Sequence, residues 1–404
     1  MTTHAVILAG GLGTRLGDFT ANTPKPMLPV AGQPFIDLLI GHLSREGITS
    51  VTILAGYLGD QIAEYFERNP VVYVDIEVLI EPEPLGTGGA LKFAAAHLPE
   101  SFFLLNGDTF FDVPLADLSA YKHDSAAPLA CIAMRYIDDT SRYGQIRREG
   151  TKVIDFAAHA ETAGSPGWIN GGVYLLKRKI LDFIGDGFVS LEHDVFPRLV
   201  TLGLMSAYPY DVAFIDIGVV PEYEAAQTFL PDTLRRPALF LDRDGVLNRD
   251  IGYLHRIDQF EWMPGALDVI KLACELRWFV FVVTNQGGVG RGFYKEADVI
   301  ALHRWILQQV QQVGAHISDF RYCPHHPEAV SDTYKTPCSW RKPSPGMLLD
   351  LLERYPIDVT RSLMVGDNDT DIAAAEAAGI ASLKYTSGRV DDLVAPHLER
   401  SRKQ

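Results

Sequence analysis

The stretch from Leu239 to Asn248 constrains the fold more than any other part of the sequence. It reads Leu-Phe-Leu-Asp-Arg-Asp-Gly-Val-Leu-Asn, so an apolar run typical of a buried strand leads into two carboxylates and a Gly-containing turn. Asp242 and Asp244 are one residue apart and share a face of the strand end. Such a pair can hold Mg²⁺ while one oxygen attacks phosphorus and the other carboxyl moves a proton, although a solvated Asp-Gly turn has the same letters.

Three later stretches supply the other parts that such a site needs. A second apolar strand, over 279–283, ends in hydroxyl and amide side chains that can hold a phosphoryl oxygen. An Arg-Lys pair precedes Pro343, which is expected to open a helix, and this pair places positive charge over a transferring phosphate. A third strand ends in one more carboxylate for the metal. In chain order, these side chains are Thr284, Asn285, Gln286, Arg341, Lys342 and Asp367.

The order and spacing of these motifs resemble those of the haloacid dehalogenase (HAD) superfamily of phosphatases over about residues 236–404. The resemblance implies that Asp242 becomes an aspartyl phosphate and that Asp244 acts as general acid and then as base. No insertion is long enough to form a large cap domain. The other implied roles fall to Thr284 and Lys342 in catalysis, to Asn285, Gln286, Arg341 and Lys342 in substrate binding, and to Asp242, Asp244 and Asp367 in holding Mg²⁺.

Length and composition bound the rest of the interpretation. With 404 residues and 47% hydrophobic content, the chain can bury two ordinary domains. A net charge of −15 argues against a nucleic-acid track or a polybasic membrane patch, so the expected partners are small molecules. Four scattered cysteines do not suggest a disulfide framework, the chain starts directly with a strand, and no apolar run reaches about 18 residues. A cytoplasmic protein is expected, and a homo-oligomer is left open.

A glycine-rich loop follows the first strand of the chain. The apolar run 5–8 leads into Ala-Gly-Gly-Leu-Gly-Thr-Arg-Leu, where glycines allow backbone N–H groups to approach a triphosphate and Arg15 adds positive charge. A plain tight turn has the same composition, and the loop lacks the Gly-Lys-Ser/Thr of the usual P-loop. Lys25 comes next, held between two prolines, and a cation on rigid backbone loses little entropy when it binds phosphate.

Together these two motifs resemble the sugar-1-phosphate nucleotidyltransferases, and the match extends to about residue 229. The resemblance implies that Arg15 meets the triphosphate and that Lys25 meets the phosphates at the reacting centre, which makes both catalytic. The segment 81–89, which opens a helix, would contact the nucleobase. The implied nucleotide-binding residues are Leu8, Ala9, Gly10, Gly11, Gly13, Thr14, Arg15, Lys25, Glu81, Gly86 and Asp108.

Strand and helix patterns alternate through the first half of the chain. Strands are predicted over 51–55 and 76–80 with a helix over 58–68 between them, and such α/β alternation favours a parallel sheet. Two further apolar strands end in Asp108 and Asp216. Either Asp could be a simple cap, but the resemblance implies that the pair holds Mg²⁺ on the nucleotide and sugar phosphates.

The sugar side of this half rests on shorter motifs. Gly144, Asn170, Gly171 and Glu192 match positions that line the sugar pocket in the resembled family. Many relatives carry Glu-Lys shortly after a Phe where this chain has Phe-Ala-Ala-His at 156–159. The expected cation and carboxylate are therefore missing, and either His159 or a nearby residue replaces them or the sugar phosphate is held less tightly at that end.

An insertion before Arg341 contains candidate zinc ligands. Cys323, His325 and Cys338 match three of the four ligands in the zinc loop of D-glycero-D-manno-heptose 1,7-bisphosphate 7-phosphatases. The Asp-Arg-Asp-Gly and Cys-Pro-His-His-Pro motifs of this chain also resemble motifs of that family. Trp340 stands where the fourth ligand should be, and an indole cannot replace a thiolate. Two alternatives stay open. Either zinc is bound with His326, water or an outside group as the fourth ligand, or the site is empty and packing alone holds the loop. Arg291 is equally open as a substrate contact or a surface residue.

The sequence thus predicts an α/β protein of two domains, each a three-layer αβα Rossmann-like sheet. Residues 1–229 form a nucleotidyltransferase domain similar to GT-A folds, 230–237 a linker, and 238–404 a HAD-like phosphatase domain. The combined resemblance implies a fused enzyme that removes the 7-phosphate of the heptose bisphosphate and transfers GMP to heptose 1-phosphate, giving GDP-D-glycero-α-D-manno-heptose. Two alternatives stay open. One is a mannose-type guanylyltransferase joined to another sugar-phosphate or histidinol-phosphate phosphatase, and the other is a non-catalytic sensor of nucleotide sugars.

Overall fold

The computed structural model describes residues 2–71, 73–120, 128–157 and 165–400. The chain divides into two compact units, residues 1–230 and 231–404. None of the four cysteines, all of them in the described ranges, forms a disulfide. Within the same ranges, no helix has the length and apolar character needed to cross a bilayer. Each unit is described by itself below.

The first unit contains short strands and helices in alternation over its first half and mostly strands over its second. Its described strands are β1 (His4–Ala9), β2 (Pro29–Val30), β3 (Gln33–Pro34), β4 (Ser50–Ala55), β5 (Asp75–Ile80), β6 (Ser101–Asn106), β7 (Thr109–Phe111), β8 (Ala130–Ile137), β9 (Gln145–Glu149), β10 (Lys152–Ala157), β11 (Gly167–Lys177), β12 (Met205–Pro209) and β13 (Phe214–Asp216). Its α-helices are α1 (Phe35–Arg45), α2 (Gly59–Arg68), α3 (Gly86–Phe93), α4 (Leu115–Ala120), α5 (Phe196–Thr201) and α6 (Val220–Leu234).

Nine of these strands form one mixed sheet in the order β5-β4-β1-β6-β11-β8-β12-β10-β9. The strands β5, β4, β1 and β6 run parallel, as the α/β alternation predicts. Beyond these four strands the sheet is mixed, since β11 pairs antiparallel with both β6 and β8, and β10 pairs antiparallel with β12 and β9. The reason is that the later strands are joined without intervening crossover helices of the kind that enforce a parallel order.

Both faces of the parallel part are covered. Val6, Leu54 and Leu104 pack with residues of helices α3 and α5 in one apolar cluster. Ile7 and Leu105, which neighbour them along β1 and β6, point to the opposite face because side chains alternate along a strand, and they are equally buried. Burial on both faces explains why these strands are continuous apolar runs, and it leaves the strand ends as the place where polar groups collect.

The second unit is a five-stranded parallel sheet with helices between its strands. In sheet order, the strands are β16 (Asp319–Cys323), β15 (Phe279–Asn285), β14 (Ala238–Leu241), β17 (Leu363–Gly366) and β18 (Ala381–Lys384). The α-helices are α7 (Ala266–Glu275), α8 (Gly287–Gly290), α9 (Glu296–Gln312), α10 (Gly346–Arg354), α11 (Asp369–Ala377) and α12 (Val390–Arg400).

Strand β14 is the centre of this sheet and determines where its polar residues meet. Leu241, its last residue, lies opposite Val282 of β15 and Val365 of β17. Since all the strands are parallel, the residues that follow these three strands emerge at the same edge. In a doubly wound sheet this carboxyl edge is where ligands bind. The predicted motifs of the second half therefore converge by topology.

The segment 230–237, predicted as a linker, is helical as far as Leu234, where α6 ends. One local expectation differs from the structure. Pro343 was expected to open a helix, but α10 starts three residues later, at Gly346. The intervening residues form a turn in which the Ser344 N–H donates to the Arg341 carbonyl (2.9 Å). This turn keeps Arg341 and Lys342 at the edge of the sheet.

Candidate active sites

The site in the second unit is built around Asp242. Its backbone N–H donates to the Val365 carbonyl (2.9 Å), which continues the pairing of β14 with β17 by one residue. The next residues turn sharply, and Gly245 adopts a φ of +91°, a left-handed conformation that favours glycine. A methyl group at position 245 would also overlap the carboxylate of Asp367. The turn therefore needs glycine for two reasons, and it brings Asp242 and Asp367 to one place.

Lys342 connects two buried carboxylates in this site. Its ammonium nitrogen lies 2.8 Å from Asp242 Oδ1 and 2.5 Å from Asp371 Oδ1, and it donates to the Val283 carbonyl (2.9 Å). Lys342 and Asp371 are 4% and 1% exposed. The predicted substrate contact Asn285 fixes the same residue, because its side-chain amide bonds both the N–H and the carbonyl of Lys342. Lys342 is thus held in one position, as a group that must meet a phosphate in a defined geometry should be.

Three carboxylates of this site can meet at a single cation. Oxygens of Asp242, Asp367 and Asp371 lie within 4.8 Å of one another. They are hard oxygen donors of the kind that Mg²⁺ prefers, and three carboxylates face the single ammonium group of Lys342. The group therefore fits Mg²⁺, with Asp371 rather than the side chain of Asp244 as its third member.

The predicted proton carrier Asp244 lies in a separate hydrogen-bond network. Its carboxylate accepts from the guanidinium of Arg243 (2.9 Å), from Gln286 Nε2 (2.9 Å) and from Asn248 Nδ2 (3.0 Å). Gln286 Nε2 also donates to Thr284 Oγ1 (2.8 Å). Arg243 is completely buried. Its guanidinium forms an ion pair with Asp244 and donates hydrogen bonds to Gln286 Oε1 and to the Leu254 carbonyl. The network orients Asp244 and Thr284 beside Asp242.

Burial raises the pKa of Asp242 from its ordinary value of 3.8 to about 7, with Asp371 adding to the rise and Lys342 opposing it. A carboxyl group that is more basic in the folded than in the unfolded protein contributes stability below the unfolded pKa and loses that contribution as the pH rises through the folded pKa. For Asp242 the loss falls between about pH 4 and pH 7. A bound cation would offset it by neutralising the carboxylates.

We therefore expect the thermal unfolding midpoint of the second unit, measured in EDTA, to fall as the pH is raised from 5 to 8. Mg²⁺ should raise the midpoint strongly at pH 8 and weakly at pH 5, because protons compete for Asp242 at the lower pH. Tryptophan fluorescence reports on this unit, since it holds Trp262, Trp278, Trp305 and Trp340, four of the five tryptophans. Asp242→Asn should have a shallower pH dependence, and an unchanged slope would contradict the assignment.

The candidate zinc ligands also come together, but as a set of three. Donor atoms of Cys323, His325 and Cys338 lie within 4.8 Å of one another. Trp340 packs against the apolar core of the unit and offers no ligand atom. The Nδ1 atom of His326, the suggested replacement, accepts a hydrogen bond from the Glu328 N–H (3.0 Å). Among the described residues, the group of possible metal ligands therefore has three members, one fewer than the usual four-ligand structural site.

The first unit brings Lys25, Asp108 and Asp216 into one cluster. Lys25, 7% exposed, forms an ion pair with Asp108. The pairing of β7 with β13 sets Thr109, the residue after Asp108, opposite Asp216. Asp108 and Asp216 therefore lie on neighbouring segments of the backbone. A methyl group at Gly218 would be 2.7 Å from Asp216 Oδ1 and 3.2 Å from the Lys25 ammonium nitrogen, which puts these groups beside each other.

Electrostatics link the same acids. Burial raises the pKa of Asp216 to about 6, and the Asp108 carboxylate adds to the rise, while Lys25 and Arg142 oppose it. Two buried acids that repel each other when both are ionised need more positive charge than one lysine supplies, and a divalent cation can supply it. Asp108 and Asp216 therefore fit Mg²⁺, as the sequence suggests.

The glycine-rich loop lies next to the segment predicted to meet the base. A methyl group at Gly10 would be 2.8 Å from Glu81 Oε1, so the loop and Glu81 are in direct contact. Glu81 also accepts from the Leu85 N–H (3.0 Å), and burial raises the pKa of its carboxyl group. Gly86 adopts a φ of +71° and lies against the Val189 carbonyl, where any side chain would clash. These contacts fix the entrance of α3 against the loop.

The other predicted nucleotide-binding residues of this region lie in the loop or at the end of the strand that leads into it. Gly13 has a φ of +64° and starts a short 3₁₀ helix, Thr14–Thr20. Gly11, Thr14 and Arg15 are exposed, and a methyl group at Gly11 would touch nothing within 4 Å. Leu8 and Ala9 are the last residues of β1. An open glycine loop with an exposed arginine at its end can admit a triphosphate.

The predicted sugar-binding residues form two groups. The Asn170 N–H donates to the Gly144 carbonyl (3.2 Å), and Gly171 lies against the ring of Phe111, so these three residues are together. Glu192 accepts from Thr87 Oγ1 (2.7 Å) and from Ser190. Ala158 and His159, which replace the expected Glu-Lys pair, lie outside the described residues.

Tyr174 lies between Asn170 and Glu192. It ends the sequence motif that contains Asn170 and Gly171, but it was not itself predicted to bind the sugar. Asn170 Nδ2 donates to the buried Tyr174 hydroxyl (2.6 Å). Burial and, next in size, the Glu192 carboxylate raise the pKa of that hydroxyl. The two groups therefore border one region of the first unit.

Sequence reasoning also missed three residues that contact predicted catalytic or sugar-binding groups. Asp371 lies on the first turn of α11 and forms a capping box with Asn368, so the signal that could have found it is an acid three residues after a helix N-cap. Thr87, which positions Glu192, follows the predicted Gly86. Arg243 gave no signal, because an arginine between two aspartates is usually solvated and only the fold shows it buried.

Comparison with known proteins agrees with this geometry. Residues 4–233 match the family described as nucleotidyl transferase, and residues 339–401 match the family described as HAD-hydrolase-like. The D-glycero-alpha-D-manno-heptose 1-phosphate guanylyltransferase of Campylobacter jejuni is 37% identical over 222 residues, 54% of this chain and 96% of its own length. The D-glycero-beta-D-manno-heptose-1,7-bisphosphate 7-phosphatase of Rhodopseudomonas palustris is 46% identical over 160 residues, 40% of this chain and 89% of its own length.

Solved structures give the same result for the nucleotidyl transferase fold. The crystal structure of HddC from Yersinia pseudotuberculosis is 32% identical, has a TM-score of 0.50 and covers 56% of this chain and 98% of its own. The same protein has been solved in complex with GMP-PN, with equal identity and coverage. The predicted combination of two α/β domains, one of each kind, is confirmed.

Proposed function

The chain belongs to the nucleotidyl transferase family and also carries a HAD-like phosphatase domain, and we propose that it makes a GDP-activated heptose in two consecutive reactions. The domain over 238–404 would remove the 7-phosphate of D-glycero-D-manno-heptose 1,7-bisphosphate. The domain over 1–229 would join the resulting heptose 1-phosphate to GMP from GTP and release pyrophosphate. The observation that carries the proposal is that one chain matches a heptose bisphosphate 7-phosphatase and a heptose 1-phosphate guanylyltransferase over most of their lengths. Removal of the 7-phosphate from the alpha bisphosphate, which another matched phosphatase is named for, yields the 1-phosphate that the guanylyltransferase is named for.

In the phosphatase reaction, we propose that a carboxylate oxygen of Asp242 attacks the phosphorus and that the bond from phosphorus to the sugar oxygen breaks. Asp244 gives its proton to that oxygen. Water then attacks the aspartyl phosphate, Asp244 takes the proton, and inorganic phosphate leaves. Lys342, 2.8 Å from Asp242, and the Thr284 hydroxyl hold the phosphoryl oxygens.

In the transferase reaction, the phosphate oxygen of heptose 1-phosphate attacks the α-phosphorus of GTP, and the bond to the β-phosphate oxygen breaks. No covalent intermediate with the protein is needed, so position and charge carry the rate. Lys25 is fixed by Asp108 at the reacting phosphates, and Arg15 is exposed at the loop for the leaving pyrophosphate. The residue assignments in both sites are our proposal.

Both families generally use Mg²⁺. In this chain Asp108 and Asp216 would hold it in the transferase, and Asp242 and Asp367, with Asp371 beside them, in the phosphatase. Bound there, it would neutralise phosphate charge at each reacting centre.

The anomer can be assigned by consistency between the two reactions. The phosphatase relative acts on the beta bisphosphate and the guanylyltransferase relative on the alpha 1-phosphate, as their names state. Neither reaction touches the bond at the anomeric carbon, so one chain that runs both must use one anomer throughout. We propose the alpha form, because the nucleotidyl transfer occurs at the anomeric phosphate itself.

The two half-reactions test this function separately. Phosphate release should be faster from the alpha heptose bisphosphate than from the beta form or from histidinol phosphate. Pyrophosphate release with heptose 1-phosphate should be faster from GTP than from the other three nucleoside triphosphates, and faster than with mannose 1-phosphate. A preference for mannose 1-phosphate or histidinol phosphate would instead favour a mannose-type guanylyltransferase or another phosphatase, and binding without turnover would indicate a sensor.

Removal of the metal gives a further expected result. EDTA should reduce both activities by at least about 100-fold, because each reaction must neutralise phosphate charge, and excess Mg²⁺ should restore them. Release of phosphate and of pyrophosphate can be followed in parallel in the same sample. Either activity persisting in EDTA would contradict the role given to that acidic cluster.

A further inference from the structure

Basic side chains gather beside the phosphatase site around the backbone of Gly287. This glycine follows Gln286, which bonds Asp244 and Thr284. A methyl group at Gly287 would be 2.8 Å from the His326 ring and 3.2 Å from Arg341 Nη1, and the Gly287 carbonyl accepts from the Arg291 N–H (3.1 Å). The rim of the site, the segment 287–293 that follows Gln286, therefore carries Arg291 and lies against Arg341, in a chain whose net charge is −15.

Arg291 is held at this rim in a fixed orientation. Its Nη1 donates to the Tyr253 hydroxyl (2.6 Å), and its Cζ lies 5.5 Å from the Tyr253 ring centre and 5.1 Å from that of Phe293. The aromatic pair is itself in edge-to-face contact, with centroids 4.8 Å apart. A guanidinium fixed between two rings loses little side-chain entropy when it binds an anion in a two-point contact.

The charge of Arg291 is only weakly paired. The Glu328 carboxylate lies 3.5 Å away and is 71% exposed, while the Arg291 side chain is 32% exposed. Such a surface ion pair contributes little and can be displaced by a dianion. Arg256 differs, because both oxygens of Asp258 engage its guanidinium at 2.9 and 2.8 Å. With respect to the described residues, Arg291 thus combines a fixed orientation with a charge that only one exposed carboxylate opposes.

We propose that Arg291 is a specificity-determining residue that binds the phosphate group which the phosphatase does not cleave. The inference rests on the proposed function, since a sugar bisphosphate presents one phosphate to Asp242 and must leave the other outside. Lys342 is fixed beside Asp242 by Asp371 and the Val283 carbonyl, so it serves the cleaved phosphate. The second phosphate requires a different cation. Arg341 Nη1 donates to the His325 carbonyl (2.8 Å), whereas the charge of Arg291 on the rim is only weakly paired.

The test compares two substrates that differ only in that second phosphate. Steady-state phosphate release is measured with heptose 1,7-bisphosphate and with heptose 7-phosphate, for the wild type and for Arg291→Met. The variant should lower kcat/KM for the bisphosphate by about 10- to 100-fold, mainly through KM, as loss of a charge-assisted contact predicts. For the monophosphate the loss should be less than about threefold. Arg291→Lys should retain part of the preference, because it keeps the charge but loses the planar fork.

Two further variants keep the outcome interpretable. Glu328→Gln removes the competing carboxylate and should raise kcat/KM for the bisphosphate about two- to fivefold. Arg354→Met, a 63% exposed arginine on α10, is the matched control and should change neither substrate. Equal losses with both substrates in Arg291→Met, or no loss with either, would overturn the inference while wild-type turnover still supports the function. Absence of wild-type turnover would overturn the proposed function itself, and the inference with it.

Discussion

Asp242→Asn should lower phosphate release from heptose 1,7-bisphosphate by about 10⁴-fold, because an amide cannot attack phosphorus to form the acyl phosphate. The same protein should still release pyrophosphate from GTP and heptose 1-phosphate at close to the wild-type rate. Asp242 lies in the second unit, and Lys25, Asp108 and Asp216 all lie in the first. A phosphate assay and a pyrophosphate assay on one preparation measure both.

The fold should survive this substitution. Burial raises the pKa of Asp242, which means that its charged form is costly in the folded protein. A neutral amide at this position avoids that cost. Asp369→Asn is the matched control, since Asp369 is on α11 close to Asp367 but its side chain is 92% exposed. Phosphatase activity that survives in Asp242→Asn, or is lost equally in Asp369→Asn, would contradict the role of Asp242.

Lys25→Met should have the reverse effect. We expect nucleotidyl transfer to fall by about 10²- to 10³-fold, the usual loss when one fixed charge at a developing phosphate charge is removed. Phosphate release by the second unit should be unaffected. The substitution also leaves Asp108 and Asp216 without their lysine, so its effect must be separated from simple unfolding.

Controls for Lys25→Met use the metal and a second lysine. The unfolding midpoint of the variant should rise with Mg²⁺, because a divalent cation replaces the missing positive charge between the two acids. Lys179→Met changes an exposed lysine of the same unit and should leave both activities intact. Transferase activity retained in Lys25→Met would show that Lys25 only balances Asp108. Mixing Lys25→Met with Asp242→Asn should restore the overall reaction, because each protein supplies the site that the other lacks.

Much of the second unit could be predicted from its strand ends. Asp242 and Asp367 each follow an apolar strand and Thr284 lies near the end of another, and parallel strands bring such residues to one edge whatever the loops do. What sequence could not supply is the direction of each side chain within the turns. The Asp244 side chain binds Arg243 rather than joining the acidic group, and Asp371 takes its place beside Lys342. This arrangement depends on the burial of Arg243, which no local sequence pattern predicts.

The first unit was predictable only in part for a different reason. Strands β1 and β4 carry continuous apolar runs because both of their faces are buried, and a helix pattern separates β4 from β5. Beyond Asp108 the strands follow one another with few helices, so their order and direction depend on long-range pairing that composition does not encode. The link between Asn170 and Glu192 through Tyr174 belongs to this part, and it emerges only once β11 is placed.

The central claim is that two independent sites in one chain act on the same sugar in sequence. The most direct measurement is mass spectrometry, with phosphorus NMR, of the products formed by the wild type from the alpha heptose 1,7-bisphosphate, GTP and Mg²⁺. We expect GDP-heptose, phosphate and pyrophosphate in equal amounts. A nucleotide sugar that retains its 7-phosphate, or phosphate released without any nucleotide sugar, would contradict the claim.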